Sequence, residues 1–463
     1  MSSLKYFEGE LKKRPNIYNR YSNAGESNVA EAVNGIGAIA IKASWGPLNE
    51  VKKFTGKNIV DEVALSYGDS AGSKAAQYFA KGGLNTLYVY RCGTGGTYST
   101  LTLDSAITIS AKYVGTRTFS VTVRDSITDD GKKELLLLDG ATVLQKFVFT
   151  STAKDLADAI GLNGSEYITA KVTTEGTEIS NVANEAMTAG TDATVTTTDY
   201  STAFSALEPY DYTVLTIDAD DQAVRTLLAN YAVKAEELGK RLIASTGTNN
   251  DVKFDERCTE AKGYNAANVC FCGSGYIDTE GNKIGKESGD TRANAIMAGY
   301  IASSPTTGSV VHQQIAGAVD VVERLSHTDY TKAIENGLIL LSVGSGGQVW
   351  FDSGVNTLIN PSVEQDEGWK KIKRVKTRYE LFDRIDRTLE PYIGNINAGD
   401  TDLIIQLGQK VISAMVQEGK LISGTMTLVS TSADSNWYDI EVIDPDTLEK
   451  IYLHYKFRYS QEA

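Results

Sequence analysis

Histidine and cysteine are scarce in this 463-residue chain, with only His312, His327 and His454 and only Cys92, Cys258, Cys270 and Cys272. Four cysteines in so long a chain are too few for a disulfide framework, which predicts reduced thiols. Cys270 and Cys272 form C-x-C in a strand-like stretch, which puts both thiols on one face, with Cys258 as a third candidate ligand. A zinc site wants four ligands at familiar spacing, and no CxxC pair occurs. Buried, inert thiols are the expected reading. No run of about 18 apolar residues is present to span a bilayer as a helix. The opening "MSSLKYFEGELKKRPN" lacks the apolar core of a secretory signal, so synthesis in the cytoplasm is expected.

Other constellations are missing too. The Gly-rich stretches "RCGTGGTYST" and "SVGSGGQVWF" do not open helices, and no GK[ST] follows, so tight turns are expected rather than phosphate cradles. There is no G-x-S-x-G elbow. A Ser-His-Asp triad needs its members to meet only in space, so the sequence leaves it open. Carboxylate pairs carry no signal among fifty-nine acids. These gaps predict a protein that is not an enzyme and has no catalytic residue, no cofactor, no metal and no small-molecule substrate. A hydrolase on an α/β domain and a cell-surface structural protein stand as the alternatives.

What is present is acidic: 45 basic against 59 acidic residues, net −14. That sign repels nucleic acid and anionic membrane. In "WKKIKRVKTRYELFDRIDR" the sign reverses, with eight Lys and Arg against three acids. One reading is a solvated helix face, with Ile372, Val375, Tyr379, Phe382 and Ile385 as its buried stripe. The other is a docking surface for an acidic partner, carried by Lys370, Lys371, Lys373, Arg374 and Lys376.

Periodicity divides the chain. Residues 1–24 show no core pattern and read as an arm. "GIGAIAIKASWGP", "SAGSKAAQYFAKGG" and "LNTLYVYR" read as strand, helix and strand, favouring a parallel α/β layer over 25–94. Thr- and Val-rich alternation over 95–198 predicts an inserted β-sandwich, whose low aromatic content implies a thin core. Strand and helix alternate again over 199–360, a three-layer α/β domain. Two helical stretches and two strands, "GTMTLVS" and "YDIEVID", fill 361–448, an α+β domain. Length allows about two to four domains.

The chain closes on "KIYLHYKFRYS". Ile451, Leu453, Tyr455 and Phe457 alternate with Tyr452, His454, Lys456 and Arg458, the period-2 signature of a strand with one apolar face. It is either a home strand in a hairpin with "YDIEVID" or an arm that adds to a sheet in another subunit.

Several segments in order resemble the tail sheath proteins of contractile phage tails and R-type bacteriocin particles. They are "GIGAIAIKASWGPLNEVKKFTG" (35–56), "FAKGGLNTLYVYR" (79–91), "ITISAKYVGTRTFSVTV" (107–123) and the closing "YIGNINAGDTDL…WYDIEVIDPDTLEKIYLHYKF". The resemblance implies a multidomain α/β and α+β chain, in which the three-layer domain is subtilisin-like without protease activity. It implies that 25–94 packs with 361–448 as an inner domain facing a tail tube. Its implied function is a virion structural subunit that polymerises as stacked, hexameric helical rings and contracts by rigid-body reorientation to drive the tube through a host cell envelope. Its implied partners are copies of itself, the inner tube protein, the baseplate and the tail terminator. Residues of the two arms are expected to pair between subunits: Arg14, Ile17, Tyr18 and Tyr21, and Ile451, Leu453, Tyr455 and Phe457. The five basic residues at 370–376 are expected to touch an acidic tube.

Overall fold

The structure is a computed structural model that describes residues 34–397 and 399–458, together with the backbone of 4–5 and 18–19, which pair in parallel. The described residues fall into two units, 34–379 with the tail from Asp446, and 380–445 with 4–5 and 18–19.

The larger unit is built on a seven-stranded sheet. Its strands are β1 (Ile36–Ile41), β2 (Val51–Thr55), β3 (Thr86–Arg91), β11 (Val214–Ile217), β12 (Ile243–Gly247), β13 (Val269–Cys272) and β14 (Leu338–Ile339). They lie in the order β14-β13-β12-β11-β1-β3-β2, all parallel except the edge strand β2. Because side chains alternate across a strand, the sheet serves two cores. Ile39, Ile41, Leu87 and Val89 face α1 (Ile59–Tyr67), α2 (Ala71–Lys81) and α7 (Arg292–Ser303). Ala38, Ala40, Tyr88 and Tyr90 face α4 (Thr197–Leu207) and α5 (Gln222–Glu237). That makes three layers. The strands of residues 25–94 complete this sheet, because β1 pairs with both β3 and β11, and Ile372, Val375 and Tyr379 of 361–448 join the same core as Phe54, Ile59 and Val63.

Between β3 and α4 the chain makes a sandwich. One sheet holds β4 (Tyr98–Leu103), β5 (Ile107–Val114) and β9 (Ile168–Val172) in the order β9-β5-β4. The other holds β6 (Ser120–Asp125), β7 (Lys133–Asp139), β8 (Thr142–Phe149) and β10 (Val182–Ala186) in the order β8-β7-β6-β10. Helix α3 (Ala153–Leu162) closes one end, started by a capping box in which Thr152 and Asp155 exchange bonds. The expected thin core is filled by Phe119, Phe147 and Phe149, and by Trp45, which the α/β part lends to it. Entry and exit run side by side, with Thr94, Thr97 and Thr100 bridged to Thr194, Thr191 and Thr188.

The sandwich is bolted to the sheet. Arg91, buried at the end of β3, donates to the carbonyls of Ala43 (2.8 Å), Gly46 (2.7 Å) and Val114 (2.9 Å). Asp192 accepts from Ser44 Oγ at 3.0 Å and from Thr116 N at 2.8 Å. With no carboxylate bonded to it, the Arg91 guanidinium is held by burial down at about 10.

The smaller unit packs the second half of α9 (Ile372–Leu389) and α10 (Thr401–Gln417) with a hairpin of β15 (Ser423–Ser432) and β16 (Ser435–Ile443). Leu381, Ile385, Val411, Ile412, Met415 and Met426 form its core. Gly408 lets the hairpin approach α10, since a Cβ there would lie 2.1 Å from the Met426 sulfur. Within this unit Arg384 binds Glu418 at 2.8 Å, and Lys420 binds Glu380 at 2.7 Å.

Candidate functional site

The C-terminal segment begins at a charged clamp. Lys371 stands between a one-turn 3-10 helix (Glu367–Lys370) and α9. Its Nζ lies 2.6 Å from an Asp446 oxygen and 3.0 Å from a Glu449 oxygen. Burial pushes the Asp446 carboxyl up, but the bond from Lys371 and its charge hold it below the usual carboxylate value. Burial likewise lowers Lys371, and its two carboxylate partners more than reverse this.

Beyond the clamp the chain makes no strand through residue 458. The home-hairpin reading is not what forms: "YDIEVID" is already paired, as β16, with β15. Ile451 is 71%, Leu453 68%, Tyr455 70% and Phe457 91% exposed. The Tyr455 and Phe457 rings stack at 6.3 Å with planes 18° apart, so these two side chains share one side, as the alternation requires. A monomer seldom leaves such a stripe in water without a use for it.

The hairpin of the smaller unit also has open backbone. It is a two-stranded sheet, so each strand has an outer edge with no ladder partner among the described residues. Tyr438 and Val442 of β16 pack against the core of the unit, while Trp437, Asp439 and Glu441 are exposed. On β15 the exposed Thr425 and Thr427 carry no charge.

Of the amino-terminal residues expected in the arm, Arg14, Ile17 and Tyr21 lie outside the described residues, and only the backbone of Tyr18 is described, opposite Leu4. The basic run is not one free patch. Lys376 is buried, and its ammonium donates to the carbonyls of Ile301 and Ser304 and to Ser304 Oγ, capping the end of α7. Lys373 is buried as well. Lys370 pairs with Glu367 at 2.8 Å, Arg374 reaches Asp366 at 4.0 Å, and Lys371 is in the clamp. Two of the five therefore cannot present their charge to a tube, because protein covers them. The clamp acids, Asp446 and Glu449, were missed at the sequence level. Their one available signal was an acidic pair three residues apart, just ahead of the alternating stretch.

The histidines and cysteines are scattered. His312 stacks on Trp350 at 4.4 Å, His327 opens helix α8 (His327–Glu335), and His454 is in the exposed tail. Cys270 and Cys272 do share a face, but Cys258 belongs to a different cluster, and burial pushes the Cys272 thiol up to about 11. No group of three His, Cys, Asp or Glu among the described residues is placed to hold a metal. Open α/β sheets bind ligands where the strand order reverses, here between β1 and β11. That crevice is filled by Asp218, which accepts from Tyr200 OH at 2.5 Å and from Lys42 N at 2.8 Å. Gly72 sits so close that a Cβ would lie 2.1 Å from the Lys42 carbonyl oxygen.

Comparison with known proteins gives this geometry a context. The phage tail sheath protein beta-sandwich domain matches residues 94–192, and the phage tail sheath protein central domain matches 193–357. The phage-like element PBSX protein XkdK of Bacillus subtilis (strain 168) is 23% identical over 427 residues, covering 87% of this chain and 85% of its own. The sheath tail protein of Desulfitobacterium hafniense, a crystal structure, is similar over 93% of this chain and 100% of its own, with a TM-score of 0.73 at 17% identity. The helical sheath of the anti-feeding prophage in its contracted state covers 98% of this chain and 100% of its own, with a TM-score of 0.51 at 11% identity.

Proposed function

The chain belongs to the phage tail sheath proteins, structural components rather than enzymes, and on that premise we propose that it polymerises as stacked helical rings around an inner tube. The observation that carries this reading is the tail at 450–458, outside any helix or strand, exposed, and alternating apolar with polar side chains. Such a segment is made to add to a sheet edge in a second copy, where backbone bonds give affinity and alternate side chains give register.

The acceptor is the outer edge of β16. There Ile451, Leu453, Tyr455 and Phe457 extend the side that carries Tyr438, Ile440 and Val442. His454, Lys456 and Arg458 come beside Asp439 and Glu441 on the other. β15 offers no such charges, which favours β16. About five ladder bonds at roughly 1 kcal/mol net each would tether a neighbour without welding the bodies together.

Contraction is then reorientation of whole bodies about compliant tethers, with the energy stored in the extended assembly. Arg91, Trp45 and Asp192 make the sandwich and the sheet one such body. The subtilisin-type arrangement serves here as a scaffold. Hexameric rings, the tube, the baseplate and the terminator are the proposed partners, with residues 380–445 turned towards the tube. Assembly follows synthesis in the bacterial host cytoplasm, and contraction drives the tube through the target envelope.

Negative-stain microscopy of the purified chain tests the reading. Long helical tubes are expected, and a chain lacking 450–463 should stay folded and monomeric. Normal tubes from the truncated chain would overturn the arm assignment.

A further inference from the structure

We infer that Lys371 is a positioning residue for assembly: by holding Asp446 and Glu449 it sets where the C-terminal arm leaves the body that carries it. The inference rests on the arm reading above and adds what determines the arm's aim.

Residues 450–458 can reach about 30 Å when extended. Left free at its root, a segment of that length would search a wide volume, and its effective concentration at a neighbour's sheet edge would be correspondingly low. The root is not free. Asp446 and Glu449 lie three residues apart and converge on one ammonium, at 2.6 and 3.0 Å. Two bonds on residues three apart hold both position and direction, which one bond could not. Their side chains are only partly exposed, 30% for Lys371, 42% for Asp446 and 25% for Glu449, so water and salt screen the clamp incompletely. Leu448, between the two acids, is exposed, so no apolar packing by that residue anchors the root. The clamp is therefore electrostatic, and it is made within one chain before any neighbour arrives. That is preorganisation: the ordering of the root is complete before binding.

The test is charge reversal with rescue. Lys371→Glu should raise the critical concentration for tube formation about 5-fold, the size expected for losing a partly exposed ion pair, with little change in thermal midpoint. Lys371→Arg, which keeps the charge, should stay near wild type. Combining Lys371→Glu with Asp446→Lys and Glu449→Lys should restore assembly, and amide exchange at 446–449 in the monomer should rise in the single variant and fall back in the triple one. Asp446→Asn with Glu449→Gln removes the clamp without touching α9, and decides the matter if Lys371→Glu misfolds. If both variants assemble at the wild-type concentration while the chain lacking 450–463 does not, the clamp is overturned and the arm stands. If the truncated chain assembles, the arm reading itself fails.

Discussion

The ring of Trp45 sits edge-on to Phe119, centroids 5.2 Å apart and planes at 82°. Trp45 belongs to the loop between β1 and β2 of the seven-stranded sheet, and Phe119 precedes β6 of the sandwich. Tyr113 packs on the same indole at 5.1 Å, and the Arg117 guanidinium lies 5.5 Å from its centroid. One domain's side chain is thus a core residue of the other.

Trp45→Ala should therefore loosen both. A buried Trp truncated to Ala typically costs about 3–5 kcal/mol. Calorimetry should show the sandwich melting at a lower temperature than in the wild type and ahead of the rest of the chain. A uniform small shift would mean that the domains are coupled elsewhere.

Within the basic run, stability and surface charge separate. Lys376→Met would leave the Ile301 and Ser304 carbonyls without their ammonium and should cost about 1–3 kcal/mol. Lys370→Ala, on a surface pair, should change stability by less than about 0.5 kcal/mol. Chemical denaturation of the two variants checks this, and equal effects would contradict the burial of Lys376.

Pairing of the arm with β16 predicts a charge swap between copies. Asp439→Lys with Glu441→Lys should impair tube formation, as should Lys456→Glu with Arg458→Glu. All four together should recover it, since opposite charges again face each other across the strands. Light scattering during assembly reads the result, and no recovery would place the arm on another edge.

The buried Asp218 makes stability depend on pH. Burial raises its carboxyl to about 6, despite the bonds from Tyr200 and Lys42 N that favour the charged form. A folded value above the unfolded one means that its contribution is fully present below about pH 4 and is lost as pH rises through about 6. Asp218→Asn does not titrate. The stability of wild type minus that of the variant should thus be larger at pH 4 than at pH 7, by about 2–3 kcal/mol. Denaturation midpoints of both proteins at the two pH values measure it, and a flat difference would refute the assignment.

Local pattern was a good guide where the deciding interaction was itself local. The alternation of Ala38, Ile39, Ala40 and Ile41 marked a strand buried on both sides, and the Gly-rich "SVGSGGQVWF" a tight turn. On α9 the predicted stripe is nearly right, but Leu381 is buried where Phe382 was expected, and Phe382 is 38% exposed. Lys373, Lys376 and Thr377 are buried beside that stripe; the free carbonyls at the end of α7 take the Lys376 ammonium as their donor, and Thr377 donates to the Thr306 carbonyl just beyond.

By itself the sequence determined the kinds of element, the inserted sandwich, and a terminal segment with one apolar side. Those follow from periodicity and composition, which each stretch carries alone. The tertiary structure decided which partner each element found. It put β1 and β3 in the sheet with β11, Trp45 in the neighbouring core, Lys376 on the end of α7, and Lys371 on the root of the arm. Each of these joins residues far apart in the chain, and a period of 2 or 3.6 says which side a residue faces, not what it will meet.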